Sequence, residues 1–163
     1  MQSGIIAAFA LAASAQTMPQ DAAPPIANPV ASAPLDFATA TPVAGNWQYS
    51  SASGASEARF LGSQGQVQLT IRCTVAARRV TISKPAPGPA PFLNIWTSAQ
   101  TRSLPTSFLP ATAMLNADLS AYDPLLDAII FSRGRIAVGI PGQPTLVLPA
   151  WAEAERVIED CRA

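Results

Sequence analysis

The octapeptide Gln66-Val67-Gln68-Leu69-Thr70-Ile71-Arg72-Cys73 alternates between polar and apolar residues. A period of two is typical of a β-strand that buries one face and exposes the other to water. The pattern turns Val67, Leu69, Ile71 and Cys73 inward. Because the turn-forming stretch Gly62-Ser63-Gln64-Gly65 precedes it, the octapeptide is predicted to be the second arm of a β-hairpin.

Short stretches on both sides of this hairpin also have strand character. Trp47 and Tyr49 share one face of a strand at 46–50, and further strands are predicted at 57–61, 79–83 and 92–97. The proline-rich stretch 85–91 is predicted to be a loop, because proline cannot donate to a sheet ladder. A second hairpin is predicted from 135–140 and 145–148. Together these stretches indicate an antiparallel sheet or sandwich.

Two helices complete the predicted domain. The first covers 124–131, with Asp123 as its N-cap and Pro124 at its first position. The second covers about 149–162, where Trp151, Ala154, Ile158 and Cys161 form one apolar stripe. The fold class is therefore mainly β (β+α), with one short internal helix and a C-terminal helix packed on the core of a domain at 45–163.

The region before residue 45 differs in composition from the domain. Residues 1–15 contain an apolar run, 5–13, followed by Ala13-Ser14-Ala15, which is the pattern of a signal peptide cleaved before Gln16. The alternative is a buried apolar helix, since the run is too short for a membrane span. Residues 16–44 contain six prolines among many alanines and are predicted to be a disordered linker. No membrane span is expected in the mature protein.

Charge and residue usage exclude several classes of function. The 163 residues contain 10 Lys plus Arg, 10 Asp plus Glu and no His. A neutral chain has no global attraction to nucleic acid, so nucleic-acid binding is disfavoured. Without histidine, imidazole ligands and Ser-His-Asp or Cys-His nucleophile activation are impossible. No metal site and no cofactor are predicted.

Cys73 and Cys161 are the two cysteines of the chain, and both fall on faces predicted to point inward. In an exported protein this pair is expected to form a disulfide that fastens the C-terminal helix to the sheet. A redox-active pair is the alternative, but such pairs usually have a C-x-x-C spacing.

Three acids near the internal helix are the candidates for acid–base chemistry. Asp118, Asp123 and Asp127 are close enough in sequence for two of them to approach each other in the fold, as an aspartate-based hydrolase would need. The structural interpretation is that Asp123 caps the helix, while Asp127 pairs with an arginine such as Arg102 or Arg133.

A ligand or partner surface is predicted from tryptophans and arginines. Arg133 and Arg135 could form a small basic patch, although arginines on strand edges also prevent edge-to-edge pairing. Trp47 and Trp96 lie on amphipathic elements and are expected in the core, but an exposed indole would mark a binding groove. A pocket between the sheet and the C-terminal helix, lined by Trp96 and Arg135, is the form that a small-ligand site would take.

Two groups of small periplasmic proteins resemble the chain from Trp47 onward. The early Trp strand, the stretch Leu69-Thr-Ile-Arg72-Cys73 and the terminal helix ending in Cys161 are similar to type VI secretion-associated accessory proteins. The stretch from Asp123 through Gly134-Arg-Ile-Ala-Val138 to the C-terminal helix resembles invasion-associated locus B proteins. Both resemblances imply a non-enzymatic envelope protein without transferable catalytic residues.

The function expected from the sequence is binding or assembly, in the periplasm or after secretion. The partner would be another envelope protein or a small ligand. Small-ligand binding and an aspartate-based hydrolase are the alternatives, and the oligomeric state is left open.

Overall fold

The computed structural model describes residues 36–150 and 152–163. The predicted signal peptide at 1–15, the linker up to residue 35 and Trp151 lie outside the described residues. The described chain forms ten strands and two α-helices: β1 Gly45–Ala52, β2 Ala55–Gly62, β3 Val67–Thr74, β4 Arg79–Pro85, β5 Phe92–Trp96, β6 Thr101–Pro105, β7 Ser107–Leu109, β8 Met114–Ser120, α1 Pro124–Ile130, β9 Arg135–Gly139, β10 Leu146–Pro149 and α2 Ala152–Arg162.

Six strands form a large antiparallel sheet in the order β1-β2-β3-β4-β8-β7. The first four are an antiparallel meander, as predicted, and the turn after Gly62 joins β2 to β3. In β3 the side chains of Leu69, Ile71 and Cys73 are buried, whereas Arg72 is exposed. The alternation in the octapeptide therefore predicts correctly which side chains face the core and which face water, apart from Thr70, which is buried.

Four strands form a small antiparallel sheet in the order β10-β9-β5-β6. Strands β9 and β10 are the predicted second hairpin, with Leu146 opposite Val138. The core contains apolar side chains from both sheets and both helices, including Phe60, Leu93, Leu125 and Ile158. The predicted fold class, mainly β with an antiparallel sheet or sandwich, one short internal helix and a C-terminal helix, is confirmed.

Helix α2 packs across strands β1 to β4 of the large sheet. Its buried stripe is Ala154, Val157, Ile158 and Cys161, which agrees with the predicted spacing. The helix begins at Ala152 rather than at 149, because Pro149 still pairs with Arg135 in the small sheet. None of the helices in the described residues is long and apolar enough to cross a membrane.

Cys73 and Cys161 are joined, with their Sγ atoms 2.14 Å and their Cα atoms 5.5 Å apart. Cys73 lies on β3 in the large sheet, and Cys161 lies in the last turn of α2. The bond therefore fastens the helix to the sheet, as the sequence predicted.

The short segment 36–43 packs on the domain, although the sequence had assigned it to the linker. A turn begins at Asp36, and Phe37 packs against the buried Trp96 on the outer face of the small sheet. The Val43 N–H donates to the carbonyl oxygen of Val147, at 2.9 Å, on strand β10. The folded part of the chain thus includes residues before 45.

Three strands were not predicted from the sequence: β6, β7 and β8. Strand β8 buries Leu115, Ala117 and Leu119 in alternation and pairs with β4. Its sequence alternates as that of β3 does, but Asp118 had been grouped with Asp123 and Asp127 near the internal helix, and the alternation was overlooked. Asp118 therefore lies on a strand of the large sheet rather than beside the helix.

Candidate functional site

The three candidate acids each contact a different partner. Asp118 accepts a hydrogen bond from the Thr81 hydroxyl at 2.5 Å on the outer side of the large sheet. Asp127 pairs with Arg162 of α2 at 2.8 Å, rather than with the predicted Arg102 or Arg133. No hydrogen bond joins any two of these carboxylates among those found in the described residues.

Asp123 is the N-cap of α1, as predicted. Its carboxylate accepts from the Leu125 N–H at 2.9 Å and pairs with Arg102 at 2.5 Å. Partial burial by itself raises the pKa of this carboxyl, but the hydrogen bonds from Arg102 and from Leu125, together with the charge of Arg102, hold it below the ordinary value. An acid with a lowered pKa is ionised near neutrality, so this arrangement suits a helix cap and not a proton donor.

Among the contacts found in the described residues, none joins Lys84 to Ser98 or Ser103 in a way that would activate a nucleophile. Burial lowers the pKa of Lys84, because a charged ammonium is disfavoured away from water. The Ser103 hydroxyl donates to Asn94 at 2.5 Å, and the Ser98 hydroxyl accepts from the Arg133 N–H at 3.0 Å. In the described part of the chain, no three His, Cys, Asp or Glu residues are grouped closely enough to hold a metal ion.

Both tryptophans named as surface candidates are buried. The Trp47 indole N–H donates to the Pro149 carbonyl at 3.0 Å, and its ring packs edge-on against Phe60. Trp96 lies under Phe37 on the outer face of the small sheet. Neither indole offers a free groove, which agrees with the core interpretation and not with the binding-surface alternative.

The two arginines of the predicted basic patch have different surroundings. The guanidinium of Arg135 donates to the carbonyl oxygen of Ala38, so this side chain holds the segment 36–43 on the domain. Arg133 is exposed, and within the part of the chain that the structure describes, the hydrogen bond found for it is the one that its backbone N–H donates to Ser98. The predicted patch is therefore reduced to Arg133.

An aromatic side chain that the sequence analysis placed within α1 lies beside Arg133. Phe131 follows the last residue of α1 and is 73% exposed. Its neighbour Ser132 is buried, accepting from the Ser98 N–H at 3.0 Å and donating to the Arg135 carbonyl at 2.5 Å. We call residues 131–134 the Phe131 loop; its hydrogen bonds hold an aromatic ring and a guanidinium at the surface.

A shallow cleft of about 410 Å³ lies between the β1–β2 hairpin and the end of α2. The Arg156 guanidinium stacks on the Tyr49 ring at 4.2 Å, and the Tyr49 hydroxyl donates to Asp160 at 2.7 Å. The Ser56 hydroxyl oxygen is buried and has no hydrogen-bond partner in the described residues. We call this the α2 cleft. It lies between sheet and helix, as the ligand alternative expected, but neither Trp96 nor Arg135 lines it.

Comparisons with known proteins identify no family for this chain. No family model matches the chain, and no curated protein matches it in sequence. The structure is similar to the crystal structure of invasion associated protein B from Bartonella henselae, with a TM-score of 0.47 and 12% identity over 76% of this chain and 99% of that chain. That protein's name corresponds to the second group that the sequence resembles; no comparison found a type VI secretion-associated protein. Neither a shared family nor a shared function follows at this level of similarity.

Proposed function

We propose that the protein is exported and acts as a non-enzymatic binding or assembly protein in the periplasm or outside the cell. The observation that carries this proposal is the Phe131 loop. Aromatic residues and arginine are enriched in protein interfaces, and a rigid aromatic anchor loses little conformational entropy on binding. Phe131 and Arg133 supply both residue types on a braced loop.

Export is supported by the cysteine pair. A bonded Cys73–Cys161 pair is stable in an oxidising compartment and rare in a reducing cytosol. Intact-mass measurement on protein purified from the envelope or medium tests this point. A chain that begins at Gln16 and is lighter by two hydrogens is expected, whereas a full-length reduced chain would contradict export.

The binding role is tested by placing a photo-crosslinking phenylalanine analogue at position 131 in the producing cell. We expect a discrete crosslinked protein whose yield falls when Arg133 is replaced by Ala. The matched control is the same analogue at Leu109, an exposed apolar residue on β7. Absence of an adduct at 131, or identical adducts at 131 and 109, would contradict a specific surface.

A small-ligand role is the second candidate, and the unpartnered Ser56 hydroxyl favours it. A buried hydroxyl without a partner carries a cost of about 1–3 kcal/mol that a bound polar group would remove. Arg156 and Asp160 offer opposite charges at the same cleft. A zwitterion such as a free amino acid fits this chemistry.

The α2 cleft is tested by titrating the protein with glycine and following backbone amide resonances. Shifts confined to residues around Ser56 and Arg156, and lost in Arg156→Gln, would support binding there. Unchanged spectra at millimolar glycine, or shifts that persist in the variant, would remove this candidate.

A further inference from the structure

The two sheets have four edge strands, and three of these have features that prevent pairing with another chain. Strand β7 has three residues. Strand β6 carries the charged Arg102 and ends at Pro105. Strand β10 is covered where the Val43 N–H donates to Val147. Short length, charge, proline and a covering segment are the usual means by which proteins block their sheet edges.

The fourth edge, strand β1, has none of these features. It is eight residues long, and its sequence GNWQYSSA contains no charge and no proline. Gln48 and the stretch 50–52 are exposed. Among the described residues, no backbone group outside β2 bonds to this strand. The one side-chain hydrogen bond found there to the backbone of β1 is that of the Asn46 amide to the Trp47 carbonyl, at 3.5 Å. A long neutral edge of this kind is a template for strand addition.

We propose that the outer edge of β1 pairs with β1 of a second copy of this chain. Two identical strands that pair antiparallel are related by a two-fold axis, so the edge is complementary to itself and the assembly closes as a dimer. The two large sheets then form one continuous sheet. This interface is separate from the Phe131 loop and does not depend on its role.

Charge favours a second copy over a charged partner segment. Strand β1 is neutral, so its two copies do not repel each other across the axis. The charges beside the edge come in opposite signs, with Glu57 and Arg59 on β2 and Arg156 and Asp160 on α2. The whole chain has a formal net charge of +0, and two copies therefore approach without general repulsion.

The test is sedimentation velocity of the mature, oxidised protein over a range of concentrations, with a lysine placed on the edge. Ser50 lies opposite Glu57 in the β1–β2 register, so Ser50→Lys gains an opposite charge within its own sheet and keeps the fold. It also places one lysine on each copy of the shared edge, and these like charges repel each other in the dimer. We expect a wild-type dimer whose dissociation constant rises about fivefold or more in Ser50→Lys.

The matched control is Ser107→Lys, which places the same charge on β7, the opposite edge of the same sheet. We expect this variant to dimerise like the wild type. Amide hydrogen exchange of the wild type adds a measurement free of mutation, in which β1 amides are protected at dimer concentrations and exchange faster after dilution.

Three outcomes would overturn the proposal: a monomer at every concentration, a dimer weakened equally by both lysines, or β1 protection that does not change on dilution. Protection of β1 only when a different protein is added would assign the edge to that protein instead. Crosslinking from position 131 in Ser50→Lys separates this proposal from the binding role, since that adduct is expected to persist.

Discussion

The large sheet exposes one face to water, whereas the central strands β5 and β9 of the small sheet are buried on both faces. On the large sheet, Arg59, Arg72 and Asp118 point outward and are exposed, while their neighbours along each strand are buried. On the small sheet, four consecutive residues of β5 and four of β9 are buried. A strand with one solvent-exposed face has an alternating sequence, whereas a strand buried on both faces has a continuous apolar sequence.

The coverings of the two sheets also come from opposite ends of the described chain. Helix α2 packs on the large sheet and is bonded to it through Cys161. The outer face of the small sheet, with Trp96, Ala137 and Val147, is covered by Phe37 and Ala40 without any covalent bond. The two sheets should therefore respond differently when their coverings are removed.

The largest expected effect is the loss of the Cys73–Cys161 bond. Replacing both cysteines by serine should lower the free energy of unfolding by roughly 4–5 kcal/mol, because the unfolded chain regains the entropy of a loop closed over a sequence separation of 88. Denaturant unfolding of the variant, and of the reduced wild type as control, checks this value. Amide exchange should increase more in β3 and α2 than in the small sheet. A loss below about 1 kcal/mol would mean that packing alone holds α2.

Removing the covering of the small sheet should have a smaller effect. Phe37→Ala deletes a partly buried ring, and we expect a loss of about 1–2 kcal/mol, below the 3–5 kcal/mol typical of a fully buried phenylalanine. The emission of Trp96 should shift to the red as water reaches it. Phe131→Ala is the matched control, since the exposed ring at 131 should contribute less than about 0.5 kcal/mol. Equal losses in the two variants would show that Phe37 does not cover the sheet.

The difference between the sheets explains part of what the sequence could predict. Strands β1 to β4 were found because alternation marks a half-exposed sheet, whereas β8 of the same sheet alternates equally well and was overlooked. Strand β6 was missed because Leu104 is its one buried residue, and a single apolar position defines no period. The segment 36–43 has the composition of a linker. It packs on the domain because Trp96 faces outward from the small sheet, and the sequence of residues 36–43 alone does not show this.

The candidate sites, too, were predictable only where a local sequence pattern determines them. The sequence identified Arg133 as a surface candidate but placed Phe131 inside the helix. The ring is exposed because α1 ends at Ile130, one residue earlier than predicted. The α2 cleft joins Tyr49 to Arg156 and Asp160, which are far apart in the chain. The disulfide was predictable because both cysteines lie on periodic elements with a clear inward face.

The smallest expected effect concerns the contact between the small sheet and α1, where Arg102 of β6 pairs with Asp123 at the start of the helix. Asp123→Asn keeps an oxygen that can cap the helix, since Asn and Asp are about equally good N-caps, but it removes the charge. We expect a loss below about 1 kcal/mol near neutral pH, the usual range for an ion pair with an exposed partner.

The pH dependence of this loss identifies its source. The pKa of Asp123 is lowered in the folded protein, so the carboxylate stabilises the fold fully above its unfolded pKa of about 3.9, and this contribution is lost as the pH falls through the lower folded value. The difference in unfolding free energy between wild type and Asp123→Asn should be constant above about pH 5 and shrink below pH 4. A difference that stays constant down to pH 2 would assign the effect to the geometry of the cap and not to the charge that links the small sheet to α1.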